Sequence, residues 1–202
     1  MKNENRFFTI GTEGRAELRE KGSLFIGYAY PIQRIDEFRD RLLGLKKEHP
    51  KASHHCFAYR IGADGLIFRS NDDREPSGTA GRPILLQIDS KALTNVLVVI
   101  VRYFGGILLG TAGLTRAYKS TASLVLQTVP IVQKFVEENY LIEFDYTRTG
   151  EIMQVIKQFK VRILNQDMKL FCSMKLIVEK RSAEEFCQRI GSPVHKAEKE
   201  IA

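Results

Sequence analysis

The sequence has no long hydrophobic run. Its longest apolar stretch, Val96–Val101, is far short of the ~20 residues a membrane-spanning helix requires. The amino-terminal stretch MKNENRFFTIGTEGRAELREKGSLF has no apolar core of signal-peptide length. Cysteine is scarce: Cys56, Cys172 and Cys187 are odd in number, widely spaced and without a CxxC pair. That excludes a disulfide framework and a cysteine-rich zinc site. Polar low-complexity tracts and internal repeats are absent too. A soluble, cytoplasmic protein with no membrane partner is therefore expected, with no cofactor.

What is present is ordinary globular material, 44% hydrophobic and 27% charged over 202 residues. That length fits one domain of about 130 residues and a smaller one. The charge divides unevenly. Residues 1–136 carry 20 Lys and Arg against 13 Asp and Glu, while residues 137–202 carry 11 of each. A basic first domain attracts polyanions by neutralising phosphates.

The hydrophobic pattern gives the elements. SLFIGYAY (23–30) is rich in aromatic and β-branched residues and reads as a strand. Ile35, Phe38, Leu42, Leu43 and Leu45 recur at helical spacing and mark an amphipathic helix ending before Pro50. HHCFAYR (54–60) and LIFRS (66–70) read as strands joined through Ala63-Asp64-Gly65, and residues 95–103 form the most apolar strand, suited to burial on both faces. Two Gly-rich turns then each lead into a helix, the second striped by Leu114, Ala117, Tyr118, Ala122, Val125 and Leu126. After a polar break at 130–139, strands at 140–146, 161–165 and 170–178 alternate with helices at 148–159 and 182–190. Ser182 and Glu185 have capping-box spacing. With a short last strand this is the β-α-β-β-α-β order of a ferredoxin-like unit. The expected domains are 1–136 and 137–202, an α+β protein.

Two segments carry candidate chemistry. Phe104, Gly105, Gly106, Gly110 and Gly113 build a turn before the helix that bears Arg116, and such a turn offers backbone N–H groups to a phosphate. Arg102, Arg116 and Lys119 supply positive charge. The spacing fits neither GKS/T nor GxGxxG, so the alternative is that the glycines serve packing alone. In the second segment Asp72, Asp73 and Glu75 lie close enough to bind a hard cation, with His54 as a base and Ser77 or Thr79 as a nucleophile. Capping and turn formation are the preferred reading of these residues, since neither EF-hand spacing nor HExxH occurs. His54 and His55 point to opposite faces of a strand, whereas His54 and Cys56 share one; without a third ligand no metal site is expected. Tyr59, Phe68, Tyr103, Phe104 and Tyr118 are able to stack on bases or simply to fill the core.

NDDREPSGTAGRPIL followed by VLVVIVRYFGGILLGTAGLTRAY resembles the diagnostic pattern of the YigZ/IMPACT family, DDGEPxGTAGxPxL and VVVRYFGGxxLGxGGLxRAY. Residues 15–130 are covered, and the tail resembles the extra domain of bacterial members. Arg74 and Ala112 stand where glycine is common. The resemblance implies a first domain with the two-layer α/β sandwich of elongation factor G domain IV and the GHMP kinases, and a ferredoxin-like second domain like domain V of that factor. It further implies an RNA or ribosome partner in translation, with Arg82, Arg102, Tyr103, Phe104, Gly105, Gly106, Gly110, Gly113, Arg116 and Tyr118 at the binding surface. Two alternatives stand beside it: a metal-dependent hydrolase or phosphotransferase built on Asp72, Asp73, Glu75 and His54, and an adaptor whose partner in translation control is a protein.

Overall fold

A computed structural model describes residues 5–191 and 193–197. The chain divides into two compact units, one holding Phe7–Lys134 and the other, among the described residues, Asn5 and Arg6 together with the chain from Phe135.

The first unit is organised by β6 (Val96–Tyr103), whose uninterrupted run of β-branched residues and leucine leaves nothing polar to face water before Arg102. It is the middle of a five-stranded sheet with β2 (Gly14–Glu20), β3 (Ser23–Pro31), β4 (His54–Ile61) and β5 (Ile67–Asn71), in the order β2-β3-β6-β4-β5 and antiparallel throughout. Alternate residues of β6 feed two cores. Val96, Val98 and Ile100 pack with Phe25, Ala29, Cys56 and Ala58 under α2 (Gly81–Ser90) and α3 (Gly110–Val125). Leu97, Val99 and Val101 pack with Tyr28, Tyr30, Phe57 and Tyr59 against Phe38 and Leu45 of α1 (Ile35–Glu48). Helices therefore cover both faces, one layer more than the two-layer expectation. The reason is that β3, β4 and β6 are apolar on both sides, so one side packs under α2 and α3 and the other against α1.

β1 (Arg6–Ile10) pairs with β7 (Ile131–Phe135) in a separate two-stranded sheet. The second unit runs β8 (Glu137–Asp145), a 3-10 turn, α4 (Thr149–Gln158), β9 (Arg162–Met168), β10 (Phe171–Glu179), α5 (Lys180–Ile190) and β11 (Val194–Ala197). Its antiparallel sheet has the order β11-β8-β10-β9, and its core is filled by Ile142, Ile152, Leu176, Phe186 and their neighbours. α5 starts two residues before the Ser182 capping box expected from spacing. Glu179 is its cap position, and the Ser182 hydroxyl donates back to the Glu179 carbonyl at 3.1 Å.

Candidate functional site

His54 of β4 stands opposite Arg102 of β6, and the segment after β5 folds over this end of the sheet. The Glu75 N–H donates to the Asp72 carbonyl at 2.9 Å, and the two residues between, Asp73 and Arg74, have φ of 40° and 71°. This tight reversal turns Glu75 inward. Its buried carboxylate accepts from Arg102 Nη1 at 2.6 Å and from the Tyr118 hydroxyl at 2.8 Å. His54 Nε2 is 3.7 Å away. Cys56 Sγ lies 3.1 Å from the Asp72 carbonyl oxygen and 3.3 Å from the Tyr118 hydroxyl. Burial pushes the Cys56 thiol and the Tyr118 hydroxyl upward in pKa, so both stay protonated at neutral pH and neither is an activated nucleophile.

The neighbouring carboxylates are equally committed. Asp72 accepts from the backbone N–H of Gly78 (2.9 Å), Ala80 (3.0 Å) and Gly81 (2.8 Å), neutralising the amino end of α2. Asp73 accepts from the His55 N–H at 2.6 Å, and its carbonyl accepts from His54 Nδ1 at 2.8 Å. Asp72, Asp73 and Glu75 thus point three ways into donors of their own chain. Asp72 takes the capping role preferred from sequence, and among the described residues the alternative, convergence of the three on a cation with His54 as base, is not formed, because Asp72 and Asp73 hold the turn and Glu75 holds Arg102 and Tyr118. Thr79 is buried, with its hydroxyl donating to the Pro76 carbonyl at 2.7 Å.

The second segment is built differently. β6 ends at Tyr103, and the turn that follows is tied down at its start: the Phe104 N–H donates to Ser53 Oγ at 3.3 Å and the Gly105 N–H to Ser23 Oγ at 3.1 Å. Gly105 approaches the Lys21-Gly22 turn so closely that a Cβ there would lie 1.9 Å from the Gly22 carbonyl carbon. Beyond it Phe104, Ile107 and Leu108 are 49%, 55% and 83% exposed. α3 starts at Gly110, and among the described residues no side chain accepts from its first N–H groups, whereas Asp72 accepts from those of α2. Thr111, Arg116, Lys119 and Ser120 are exposed along it. No Asp or Glu occurs between Asp89 and Glu137. Among the described residues no ion pair engages Arg116 or Lys119.

Known relatives fit this geometry. The family model for the Impact N-terminal domain matches residues 21–126. An IMPACT family member of Haemophilus influenzae is 33% identical over 172 residues, 84% of each chain. The chain belongs to the IMPACT family. The Escherichia coli family member YigZ is 31% identical over 173 residues, 85% of each chain. A crystal structure described only as that of a hypothetical protein superposes with a TM-score of 0.77 at 27% identity, covering 97% of this chain and 99% of its own.

Against the IMPACT pattern, Arg74 holds a left-handed conformation that glycine adopts freely, and its guanidinium donates to the Ser53 carbonyl at 3.3 Å. Ala112 lies in the first turn of α3, where alanine is a better helix former than glycine. The ten residues assigned to an IMPACT binding surface separate into two sets. Arg82, Phe104, Gly106, Gly110 and Arg116 are exposed, and Gly105 is half-buried. Arg102 (5% exposed) and Tyr118 (0%) are not surface residues, because both extend into the core to meet Glu75; Gly113 is buried in the α3 stripe. Tyr103 is half-buried on the opposite side of the sheet, with its hydroxyl 2.9 Å from His49 Nδ1. Sequence reasoning overlooked the apolar tip Ile107-Leu108 and the carboxylate-free stretch, although the latter is readable by counting charges along the chain.

Proposed function

We propose that the protein is a translation-linked regulator that binds RNA or the ribosome through the exposed side of α3 and the turn before it. One observation carries this reading: a surface helix bearing Arg116 and Lys119, with an uncapped amino end, in a stretch devoid of carboxylates. A phosphate backbone meets there cations, hydroxyls and helix N–H groups, with no like charge from the chain's own stretch to oppose it. The likeness of the first unit to elongation factor G domain IV, and of a ferredoxin-like second unit to its domain V, belongs to the same reading as fold-level analogy. So do the domain limits 1–136 and 137–202 and a cytoplasmic location. Arg82, Phe104, Gly105, Gly106, Gly110 and Arg116 are its contact residues.

Co-sedimentation with ribosomes, and retardation of RNA on gels, test it at about 50 mM salt and again at about 200 mM, over which phosphate contacts weaken steeply. Binding at the lower salt that falls at the higher, and falls further in Arg116→Ala/Lys119→Ala, is the expected result. Failure to bind either target at the lower salt refutes the reading. A complex that survives nuclease and is unaffected by the double substitution points to a protein partner instead.

A further inference from the structure

The turn after β6 exposes an aromatic ring in a setting with strong supports. Phe104 is flanked by two backbone anchors, its own N–H on Ser53 Oγ and that of Gly105 on Ser23 Oγ. The Gly105–Gly22 contact leaves the backbone no slack to withdraw the ring. Arg102 Cζ is 5.6 Å from the centroid of the Phe104 ring and 5.3 Å from that of Phe25, which in turn meets Tyr118 edge-on at 5.2 Å. A fixed, buried guanidinium therefore backs the ring, and Glu75 holds that guanidinium in place. Half of Phe104 nevertheless remains open to solvent. The chain leads from this ring through Gly106, with φ of 85° and open space where a Cβ would lie, and on past Ile107 and Leu108 into α3 with Arg116 and Lys119.

We infer that Phe104 is a stacking platform for an unpaired base, and that the ligand of this surface is single-stranded RNA whose backbone runs toward Arg116 and Lys119. This rests on the RNA reading above and narrows it. An exposed apolar ring alone accommodates a protein as readily. The cation-bearing, carboxylate-free helix joined to it selects a polyanion, and among polyanions only a single strand presents π-faces beside its phosphates. A duplex keeps its bases stacked on one another and offers Phe104 nothing to cover. Stacking also suits a rigid ring, since little conformational entropy remains to be lost on binding.

The experiment is fluorescence anisotropy of the full chain with a labelled, unstructured 12-nucleotide RNA and with the blunt duplex of the same length, at about 50–200 mM salt. The single strand is expected to bind more tightly than the duplex. Phe104→Ala should weaken the single strand by about 5- to 100-fold, the range of one base–aromatic stack, and leave the salt slope unchanged. Phe104→Tyr should restore binding. Arg116→Ala/Lys119→Ala should instead lower the slope by about 1.4, two single-strand phosphate contacts. If Phe104→Ala binds like the wild type while the double substitution weakens binding, the platform is refuted and the RNA reading stands. Tighter binding of the duplex also refutes the platform. If the wild type binds neither RNA at the lowest salt, the RNA reading falls, and the platform with it.

Discussion

Replacing Glu75 by alanine should be among the most destabilising single changes available in the first unit. Arg102 would lose the carboxylate 2.6 Å from Nη1 and keep only Ser23 Oγ at 3.4 Å from Nη2, while its Nε already has no partner among the described residues. Tyr118 would lose its acceptor in the same step. Breaking a buried pair from one side leaves an uncompensated charge and costs about 3–5 kcal/mol, a large share of the roughly 5–15 kcal/mol that holds a domain folded. With a urea dependence of about 2 kcal/mol per molar, the midpoint should fall by about 1.5–2.5 M. The chain contains no tryptophan, so far-UV circular dichroism is the appropriate probe, read on the transition that the substitution moves. Glu75→Gln keeps an acceptor for Tyr118 and should cost less. Glu75→Leu with Arg102→Met removes both charges and should recover most of the loss, because an apolar replacement of a buried pair is often neutral. A midpoint shift below about 0.5 M for Glu75→Ala would refute the argument, as would a double variant no better than the sum of its parts.

Gly105→Ala should destabilise by about 1–3 kcal/mol, since backbone meets backbone at Gly22 and neither side is a flexible chain end; thermal melts beside Gly106→Ala, which meets open space, separate crowding from the cost of positive φ. Native-state titration with a thiol reagent should label Cys187 first and leave Cys56 and Cys172 untouched until unfolding, because those two are buried; fast labelling of Cys56 would contradict its raised pKa. Burial lowers the His55 pKa, and its Nε2 has no partner among the described residues. The unfolded chain therefore takes up that proton first as pH falls. Stability from this residue is complete above the unfolded value of about 6.5 and declines as pH drops below it toward the folded pKa. Urea midpoints between pH 8 and pH 5 should fall less steeply in His55→Gln than in the wild type.

Sequence alone predicted most of the elements, and those with strong periodicity, β3, β4, β6, α1 and α3 among them, lie within a residue or a few of the expected bounds. β2 escaped because, after Gly14, RAELRE consists of good helix formers, and its strand form comes from pairing along β3, a tertiary effect that overrides propensity. β7 escaped because IVQKF sits in a stretch that reads as a polar break and gains its structure from distant β1. At the site, residue types were legible and directions were not. For the three acidic residues capping is the preferred reading and a cation site the alternative, and spacing alone leaves both open because it says nothing about which way a turn points its carboxylates. Two positive φ values, invisible in the sequence, send Glu75 inward while Asp72 caps α2.

That geometry changes what the family-marking segment means. Glu75, Gly81, Arg102, Gly105, Gly113 and Tyr118 lie within or against the packed interior: a carboxylate that accepts from a guanidinium and a phenol, and glycines of which Gly81 and Gly105 let backbone approach backbone. Chemistry on a substrate would require these groups to be reachable and poised near neutral pH, whereas Tyr118 is fully enclosed and its proton is held more tightly by burial. Their common effect is to fix two turns at one end of the sheet. What those turns then present to solvent is a ring, an apolar tip, an uncapped helix end and two cations. On the proposed reading, a motif this costly to bury serves to hold that surface, since a ring fixed in place loses little conformational entropy when it binds.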